Sequence, residues 1–254
     1  MSTKTVYLIT GANRGIGYVL AKTIAARPNT IVFAGTRDPT AQSLKDLVAT
    51  HPNVHPVKLV SADKESNDAA VAEIQKTAGQ LDVVIANAGI ANHYGPIGST
   101  PVSQFKEHWE VNTLGVIVLF QAAQELLLAS PTGAPIFALI SSAAGSISNF
   151  RNVGAGAYGS SKAAANFIVK ALDAENPKLI SLAIHPGFVA TDMGNHGATA
   201  VGMEKAPITV DDSVQGLLSR IDGATKEKSS GRFFPWKRSS TGKPWDIDLD
   251  EIPW

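Results

Sequence analysis

Short apolar runs alternate with longer segments of helical periodicity along the whole chain. Most of the short runs are continuous stretches of apolar or β-branched residues, as expected for strands that helices cover on both faces. These runs lie at Val6–Ile9, Ile31–Ala34, Val54–Val60, Val83–Ala86, Ile136–Ile140, Leu179–Ile184 and near Arg232–Phe234. Helical patterns occupy Ile16–Ala26, Thr40–Ala49, Ser66–Ala78, Val102–Ala129, Ala157–Ala174 and Val210–Ile221. The alternation predicts an α/β fold with a doubly wound parallel sheet, Rossmann-like, of about seven strands.

One large domain accounts for the length of the chain. The sequence has 254 residues, and α/β domains of about 250 residues are common. No internal repeat or low-complexity linker divides it, so we predict a single domain over residues 1–254. Residues 187–207 are rich in Gly and Ala without a clear period, and we predict a loop beside the substrate there. The tail after Ser229 contains Trp236, Trp245 and Trp254, and we expect it to pack over the domain.

Composition excludes several classes of function. The 22 basic and 22 acidic residues balance, so no basic surface predicts nucleic-acid binding and no polybasic helix predicts a membrane surface. The most apolar long stretch, Leu114–Ala129, contains polar residues, and we expect it to be too short and too polar to span a bilayer. The chain has no cysteine, and its six histidines lack the spacing of metal ligands. With no signal-peptide segment at the N-terminus, these features predict a cytoplasmic protein without a metal.

A glycine-rich turn connects the first predicted strand to the first predicted helix. Gly11 permits a tight turn, while Gly15 and Gly17 let the backbone approach a pyrophosphate and let the helix pack closely on the strand. The helix N-terminus adds free N–H groups that attract phosphate. A plain strand-to-helix connection is the alternative, but this position in the chain favours dinucleotide binding. The predicted cofactor contacts in the turn are Gly11, Asn13, Arg14, Gly15, Ile16 and Gly17.

The end of the second predicted strand favours NADP(H) over NAD(H). An acid there would bind the ribose 2′-hydroxyl of NAD, whereas an arginine suits a 2′-phosphate. The strand ends at Thr36 and Arg37, and Asp38 comes one position too late. Arg14 would supply a second guanidinium to the same phosphate. The alternative is that Arg37 is a solvated loop residue.

Tyr158 and Lys162 lie one helical turn apart in the helix predicted for Ala157–Ala174. Residues at this spacing share one face of a helix. An ammonium beside a phenol favours the phenolate, so we predict that Lys162 lowers the pKa of Tyr158 and makes it a proton donor and acceptor near neutral pH. The pair alone is common by chance, and the upstream glycine turn gives it weight.

Together these motifs resemble the short-chain dehydrogenases/reductases, in particular the fungal ketoreductases and the sniffer-type carbonyl reductases. The matching residues follow the family's order over nearly the whole chain. They are Thr10-Gly11-x3-Gly15-x-Gly17, Asp63, Asn87-Ala88-Gly89, Asn112, Ile140-Ser141-Ser142, Tyr158-x3-Lys162 and Pro186-Gly187-x-Val189-x-Thr191. The resemblance implies NADP(H)-dependent reduction of a small ketone or aldehyde to an alcohol.

The resemblance also implies a role for each matching residue. Tyr158 would be the general acid, and Lys162 would lower its pKa and contact the nicotinamide ribose. Ser142 would polarise the carbonyl, and Asn112 would interrupt its helix and hold a water in a proton relay. Asp63 would reach the adenine; a helix N-cap is the structural alternative, and one residue can serve both purposes. The implied cofactor residues outside the glycine turn are Arg37, Asp63, Asn87, Ala88, Gly89, Tyr158, Lys162, Val189 and Thr191.

Several alternatives stay open at this stage. Ser141 and Ser146 are rivals of Ser142, because the segment from Ser142 to Tyr158 is longer than in many members of the family. Ala86 stands where the family often has a first asparagine before Asn87. The apolar faces of two helices allow a homodimer or homotetramer, but also a monomer. A dinucleotide-binding sensor without catalysis is the alternative function, and the identity of the carbonyl substrate stays open.

Overall fold

A computed structural model describes residues 4–238 and 247–254 of the chain. Its strands are β1 Thr5–Thr10, β2 Thr30–Thr36, β3 Val54–Lys58, β4 Val83–Ala86, β5 Ile136–Ile140, β6 Ile180–His185 and β7 Arg232–Pro235. The helices are α1 Gly15–Ala25, α2 Gln42–Thr50, α3 Lys64–Ala78, α4 Val102–Trp109, α5 Gly115–Leu128, α6 Gly156–Glu175, α7 Asp192–Ala200, α8 Val210–Asp222 and α9 Lys226–Ser229. The predicted strands and helices are confirmed, with ends displaced by a few residues.

The seven described strands form one parallel sheet in the order β3-β2-β1-β4-β5-β6-β7. The predicted doubly wound sheet is therefore confirmed. The chain runs outward from β1 to β3 and then crosses to β4 on the other side of β1, where Ile9 lies opposite Ile85. At such a reversal, the connections at the carboxyl ends of the two strands diverge and leave a crevice.

Two hydrophobic clusters cover the two faces of the sheet. One contains Phe33, Phe137 and Phe233, all fully buried, with the apolar sides of α3, α5 and α6. The other joins Ile9 and Ile85 to α1, α2 and α8. Alternate residues of each strand thus enter opposite clusters, which explains why the strands are apolar throughout rather than alternating.

A π turn, Glu110–Leu114, joins α4 to α5 and interrupts the long helix predicted at Val102–Ala129. Single π turns inside α-helices often occur at functional sites. By length and composition alone the helical run Val102–Leu128 could cross a membrane; it is longer than the apolar stretch Leu114–Ala129 considered from the sequence. Packing accounts for its apolarity, because Val116, Leu119 and Leu127 are buried in the core.

The segment predicted as a loop over residues 187–207 contains the helix α7. Its N-cap is Thr191, whose hydroxyl accepts a hydrogen bond from Gly194 N at 3.1 Å. A Cβ on Gly194 would lie 1.9 Å from the carbonyl oxygen of Val189, and one on Gly197 would lie 2.6 Å from Tyr94 Oη. Close packing requires these glycines, and they hide the helical pattern in the sequence. The prediction of an irregular loop is wrong over α7.

The tail packs over the domain, as predicted, wherever the structure describes it. The ring of Trp254 stacks on Phe233 with centroids 5.6 Å apart, and Ile252 is fully buried. Trp236 fills the space left by the missing side chain of Gly187. Trp245 lies outside the described residues.

Candidate active site

The glycine turn lies at the carboxyl end of β1, beside the crevice. Gly11 and Gly15 have φ of 65° and 54°, left-handed values that glycine adopts without strain. The first turn of α1 has no side-chain cap and no acidic residue, unlike α3, α7 and α8, which Asp63, Thr191 and Thr209 cap. Its N–H groups and positive dipole end are therefore suited to bind a phosphate.

Close packing ties this turn to the end of β4. A Cβ on Gly17 would lie 2.3 Å from the carbonyl oxygen of Gly11, so only glycine fits there. Thr10 Oγ1 accepts hydrogen bonds from the backbone N–H groups of Asn87 at 3.0 Å and Ala88 at 2.9 Å. The Asn87 amide donates to Thr10 O at 2.9 Å. These bonds fix the floor of the crevice, and they are a structural role for Asn87 that the sequence did not predict.

The residues predicted to select the cofactor do not all lie where the sequence suggested. Arg37 is exposed directly after β2, and the glycine turn lies beside this strand end, since Ala12 N donates to Gly35 O at 3.1 Å. The carboxylate of Asp38 accepts from Thr40 Oγ1 at 2.6 Å, within its own turn. The Arg14 guanidinium contacts Asp192 Oδ2 on α7 at 3.1 Å, so the predicted pair of guanidiniums is not assembled.

The other predicted cofactor residues occupy the rim of the crevice. Asp63 caps α3 and accepts from Ser66 N at 3.0 Å, which confirms the structural alternative for this residue. Val189 pairs with Ile208 in an isolated bridge, and the side chain of Thr191 lies against Gly15. The segment before α7 therefore contacts the glycine turn. The backbone carbonyl oxygen of Asn13 accepts a hydrogen bond from Ser43 Oγ at 2.7 Å.

Ser142, Tyr158 and Lys162 meet at the carboxyl ends of β4 and β5. Ser142 follows β5, and its Oγ accepts a hydrogen bond from Ala144 N at 3.2 Å. Its hydroxyl lies close enough to the Tyr158 phenol to influence the pKa of that group. Lys162 is 4% exposed, and its Nζ donates to Ile140 O at 2.9 Å. The same Nζ lies 5.9 Å from the centroid of the Tyr158 ring. The hydroxyls of Ser142 and Tyr158 therefore lie side by side, and the buried ammonium of Lys162 lies close to the phenol ring.

Burial dominates the acid–base properties of this group. It raises the pKa of Tyr158 to about 12, against the lowering effect of the neighbouring Ser142 hydroxyl. It also lowers the pKa of Lys162 to about 8. The predicted lowering of the tyrosine pKa is wrong for the protein alone, because desolvation is the largest effect on the phenol and Lys162 donates to the Ile140 carbonyl instead. Tyr158 is therefore a protonated phenol at neutral pH.

The hydroxyls of the two rival serines have other partners. Ser141 is buried, and its Oγ donates to Asn166 Oδ1 at 2.5 Å. The Oγ of Ser146 donates to the carbonyl oxygen of Pro253 in the tail. Of the three, the structure places Ser142 beside Tyr158.

Asn112 is fully buried in the π turn. Its Oδ1 accepts from Ile90 N at 2.8 Å, and its Nδ2 donates to Ile90 O at 2.9 Å and to Ser161 Oγ at 3.0 Å. Ser161 Oγ in turn donates to Tyr158 O at 2.7 Å. The amide thus holds the segment after β4 to the helix that carries Tyr158. The predicted interruption of the helix is confirmed, and the water relay stays a prediction.

Three residues near the site were not predicted. Ser161 completes the contact between Asn112 and α6. His108 is fully buried, accepts from Asn92 N at 3.2 Å, and meets the Tyr158 ring edge-on at 6.5 Å. Tyr94 lies 5.7 Å from His196 on α7, ring to ring. The sequence offers no pattern for them, since each contact joins elements that are distant in the chain. Within the described residues, no group of three or more His, Asp or Glu could hold a metal ion.

The comparisons with known proteins agree with this geometry. The sequence profile of the family described as short chain dehydrogenase matches residues 5–200. The chain belongs to this family. It is 41% identical over 252 residues to a norsolorinic acid ketoreductase of Dothistroma septosporum, covering 96% of this chain and 94% of that protein. It is 39% identical over 238 residues to the norsolorinic acid ketoreductase of Aspergillus parasiticus, covering 91% of this chain and 88% of that protein.

Solved structures of family members have the same fold. An NADPH-bound carbonyl reductase from chicken fatty liver superposes with a TM-score of 0.84 at 30% identity, and each chain is covered completely. The carbonyl reductase Sniffer of D. melanogaster gives a TM-score of 0.84 at 26% identity, again with complete coverage. The family and the ketoreductase subgroup predicted from the sequence are confirmed, and the chain is an oxidoreductase of the family.

Proposed function

We propose that the protein is an NADP(H)-dependent reductase that converts a ketone or aldehyde to an alcohol. The observation that carries the proposal is the pair of neighbouring hydroxyls of Ser142 and Tyr158 at the crevice, with the buried Lys162 ammonium 5.9 Å from the phenol ring centroid. Two neighbouring hydroxyl donors suit a carbonyl oxygen that gains negative charge during reduction. The ketoreductase and carbonyl reductase names of the relatives support the same reaction class.

The residues of the crevice fit a dinucleotide. The uncapped first turn of α1 would hold the pyrophosphate, and Val189 and Thr191 would hold the nicotinamide end. Arg37 would bind a 2′-phosphate, and the neighbouring carboxylate of Asp38 accepts hydrogen bonds from Thr40 within its own turn. The 30% identical chicken carbonyl reductase is bound to NADPH, which supports the choice of this cofactor. When bound, the cofactor supplies the hydride.

The chain supplies the proton and holds the carbonyl oxygen. Tyr158, with its pKa raised to about 12, is protonated at neutral pH, which is the state that a general acid needs for carbonyl reduction. Ser142 Oγ would stabilise the charge on the same oxygen. Lys162, 5.9 Å from the phenol ring centroid, would supply positive charge as the phenolate forms. Alcohol oxidation would need the phenolate and should therefore accelerate with rising pH.

A panel of ketones and aldehydes, incubated with the protein and NADPH, tests the proposal. We expect NADPH to be consumed in step with formation of an alcohol, and NADH to be a poorer reductant. Calorimetric titration of the same protein with NADPH distinguishes a protein that binds the cofactor without turnover from one that does not bind it. Tight binding without turnover across the panel would support the non-catalytic sensor instead, and absence of binding would contradict both functions.

A further inference from the structure

Four large apolar side chains are exposed on two segments near the site, residues 90–97 and residues 146–156. Ile97 is 70% exposed, Ile147 76%, Phe150 74% and Val153 42%. Groups of apolar side chains left in water often mark binding surfaces in proteins. Residues 90–97 and 146–156 contain no Asp, Glu or Lys and a single Arg, so the surface they form has little charge. Such a surface is suited to an apolar ligand.

The two segments are joined to each other beside Tyr158. The backbone N–H of Gly95 donates to Gly154 O at 2.6 Å, and Gly95 pairs with Ala155 in an isolated bridge. A Cβ on Gly156 would lie 2.7 Å from Ile97 Cγ1, so Ile97 packs directly on the first residue of α6. Ile97 and Val153 therefore lie on one joined surface that leads into the turn of α6 carrying Tyr158.

The other half of the surface is held by the tail. Ser146 Oγ donates to Pro253 O, and Ser148 N donates to Trp254 O at 3.0 Å. Ser146 Oγ also accepts from Asn149 N at 3.0 Å. Because both neighbours of Ile147 bond to the tail, its side chain is left on the outside of the loop. These hydrogen bonds therefore hold the backbone on both sides of Ile147, and Phe150 follows directly after Asn149.

We propose that Ile97, Ile147, Phe150 and Val153 form an apolar wall that binds a bulky, uncharged and largely apolar carbonyl compound, such as an aryl ketone. The proposal rests on the proposed function, because the 146–156 segment begins just after Ser142 and ends just before Tyr158. A compound whose carbonyl oxygen contacts these two hydroxyls must place its other groups against what surrounds them. Because the hydrogen bonds to the tail already order part of this wall, binding of a ligand there costs little conformational entropy.

Kinetics with two ketones of different bulk test the wall. Butanone and acetylnaphthalene are compared, with NADPH, in the wild type, Phe150→Ser and Ile147→Ser. We expect kcat/KM for acetylnaphthalene to fall about tenfold in Phe150→Ser, the size expected for losing roughly half of an aromatic contact area, while kcat/KM for butanone stays within about twofold. Phe167→Ser is the matched control, because Phe167 is 71% exposed on α6 outside the wall.

Three outcomes would overturn the wall. One is an equal loss for both ketones, another is no loss for either, and the third is a change in sedimentation mass in Phe150→Ser, which would assign the surface to a second copy of the chain. Equilibrium dialysis of acetylnaphthalene against the protein with NADP⁺ keeps the wall testable without turnover. There we expect about tenfold weaker binding in Phe150→Ser and unchanged binding in Phe167→Ser. Absence of turnover with normal dialysis results would contradict the proposed reaction but not the wall.

Discussion

Replacing Asn112 by alanine should destabilise the protein by about 3 kcal/mol. The side chain is fully buried and bonds both the N–H and the carbonyl oxygen of Ile90. The variant would leave these two partly buried backbone groups without their partner, at a cost toward the lower end of the about 1–3 kcal/mol that a buried group costs. Ser161 Oγ keeps its bond to Tyr158 O, so it adds little to this cost. For a chain of this size, a loss of about 3 kcal/mol lowers the melting temperature by about 6–12 °C.

Calorimetric melting and urea unfolding of Asn112→Ala measure this loss directly. Asn92→Ala is the matched control, because the Asn92 amide is exposed and contacts Glu107 at 3.1 Å; a change within about 0.5 kcal/mol is expected there. If Asn112→Ala melts like Asn92→Ala, the amide does not hold Ile90 and the reasoning fails. Lost turnover with unchanged stability would assign Asn112 to proton transfer alone.

Three further substitutions test the cofactor site and the buried ammonium. Arg37→Ala should raise KM for NADPH about tenfold or more, through loss of a charge-assisted bond, and leave KM for NADH unchanged; equal effects on both would contradict a 2′-phosphate contact. Gly17→Ala should abolish NADPH binding in a calorimetric titration, because the added Cβ would lie 2.3 Å from Gly11 O. Lys162→Met should change the pH dependence of stability. Burial lowers the pKa of Lys162 from 10.5 to about 8 in the folded protein, so between these two pH values the unfolded chain binds more protons than the folded one. The wild type should therefore gain about 3 kcal/mol relative to the variant from pH 7 to about 11 in urea unfolding, and parallel curves would contradict a buried charge.

The sequence was sufficient to predict the strands, most of the helices and the position of the site. Strands buried on both faces give continuous apolar runs, and the glycines of the turn stand at backbone positions that other residues cannot occupy. Asn112 was a different case, because only the family resemblance implied that it interrupts its helix, and nothing in the sequence indicated the partners of its amide. The hydrogen bonds to Ile90 and Ser161 join residues far apart in the chain, and local patterns do not contain them.

Two failures have specific physical causes. The helix α7 was missed because Gly194 and Gly197 are required by contacts with Val189 and Tyr94, and glycines at such spacing conceal a helix. The direction of the Tyr158 pKa was wrong because spacing shows that a lysine is near but not how far the packed site removes the phenol from water. Desolvation, which raises the pKa to about 12, depends on the packed site as a whole.

Single-turnover reduction by Tyr158→Phe tests the central claim most directly. The variant keeps the ring but removes the hydroxyl that lies beside Ser142, so the carbonyl oxygen would lose its proton donor. We predict that Tyr158→Phe binds NADPH within about twofold of the wild-type Kd and that its hydride transfer to a ketone is slowed at least about a hundredfold, the size expected for loss of a general acid. Hydride transfer at the wild-type rate in a variant that binds NADPH normally would contradict the account.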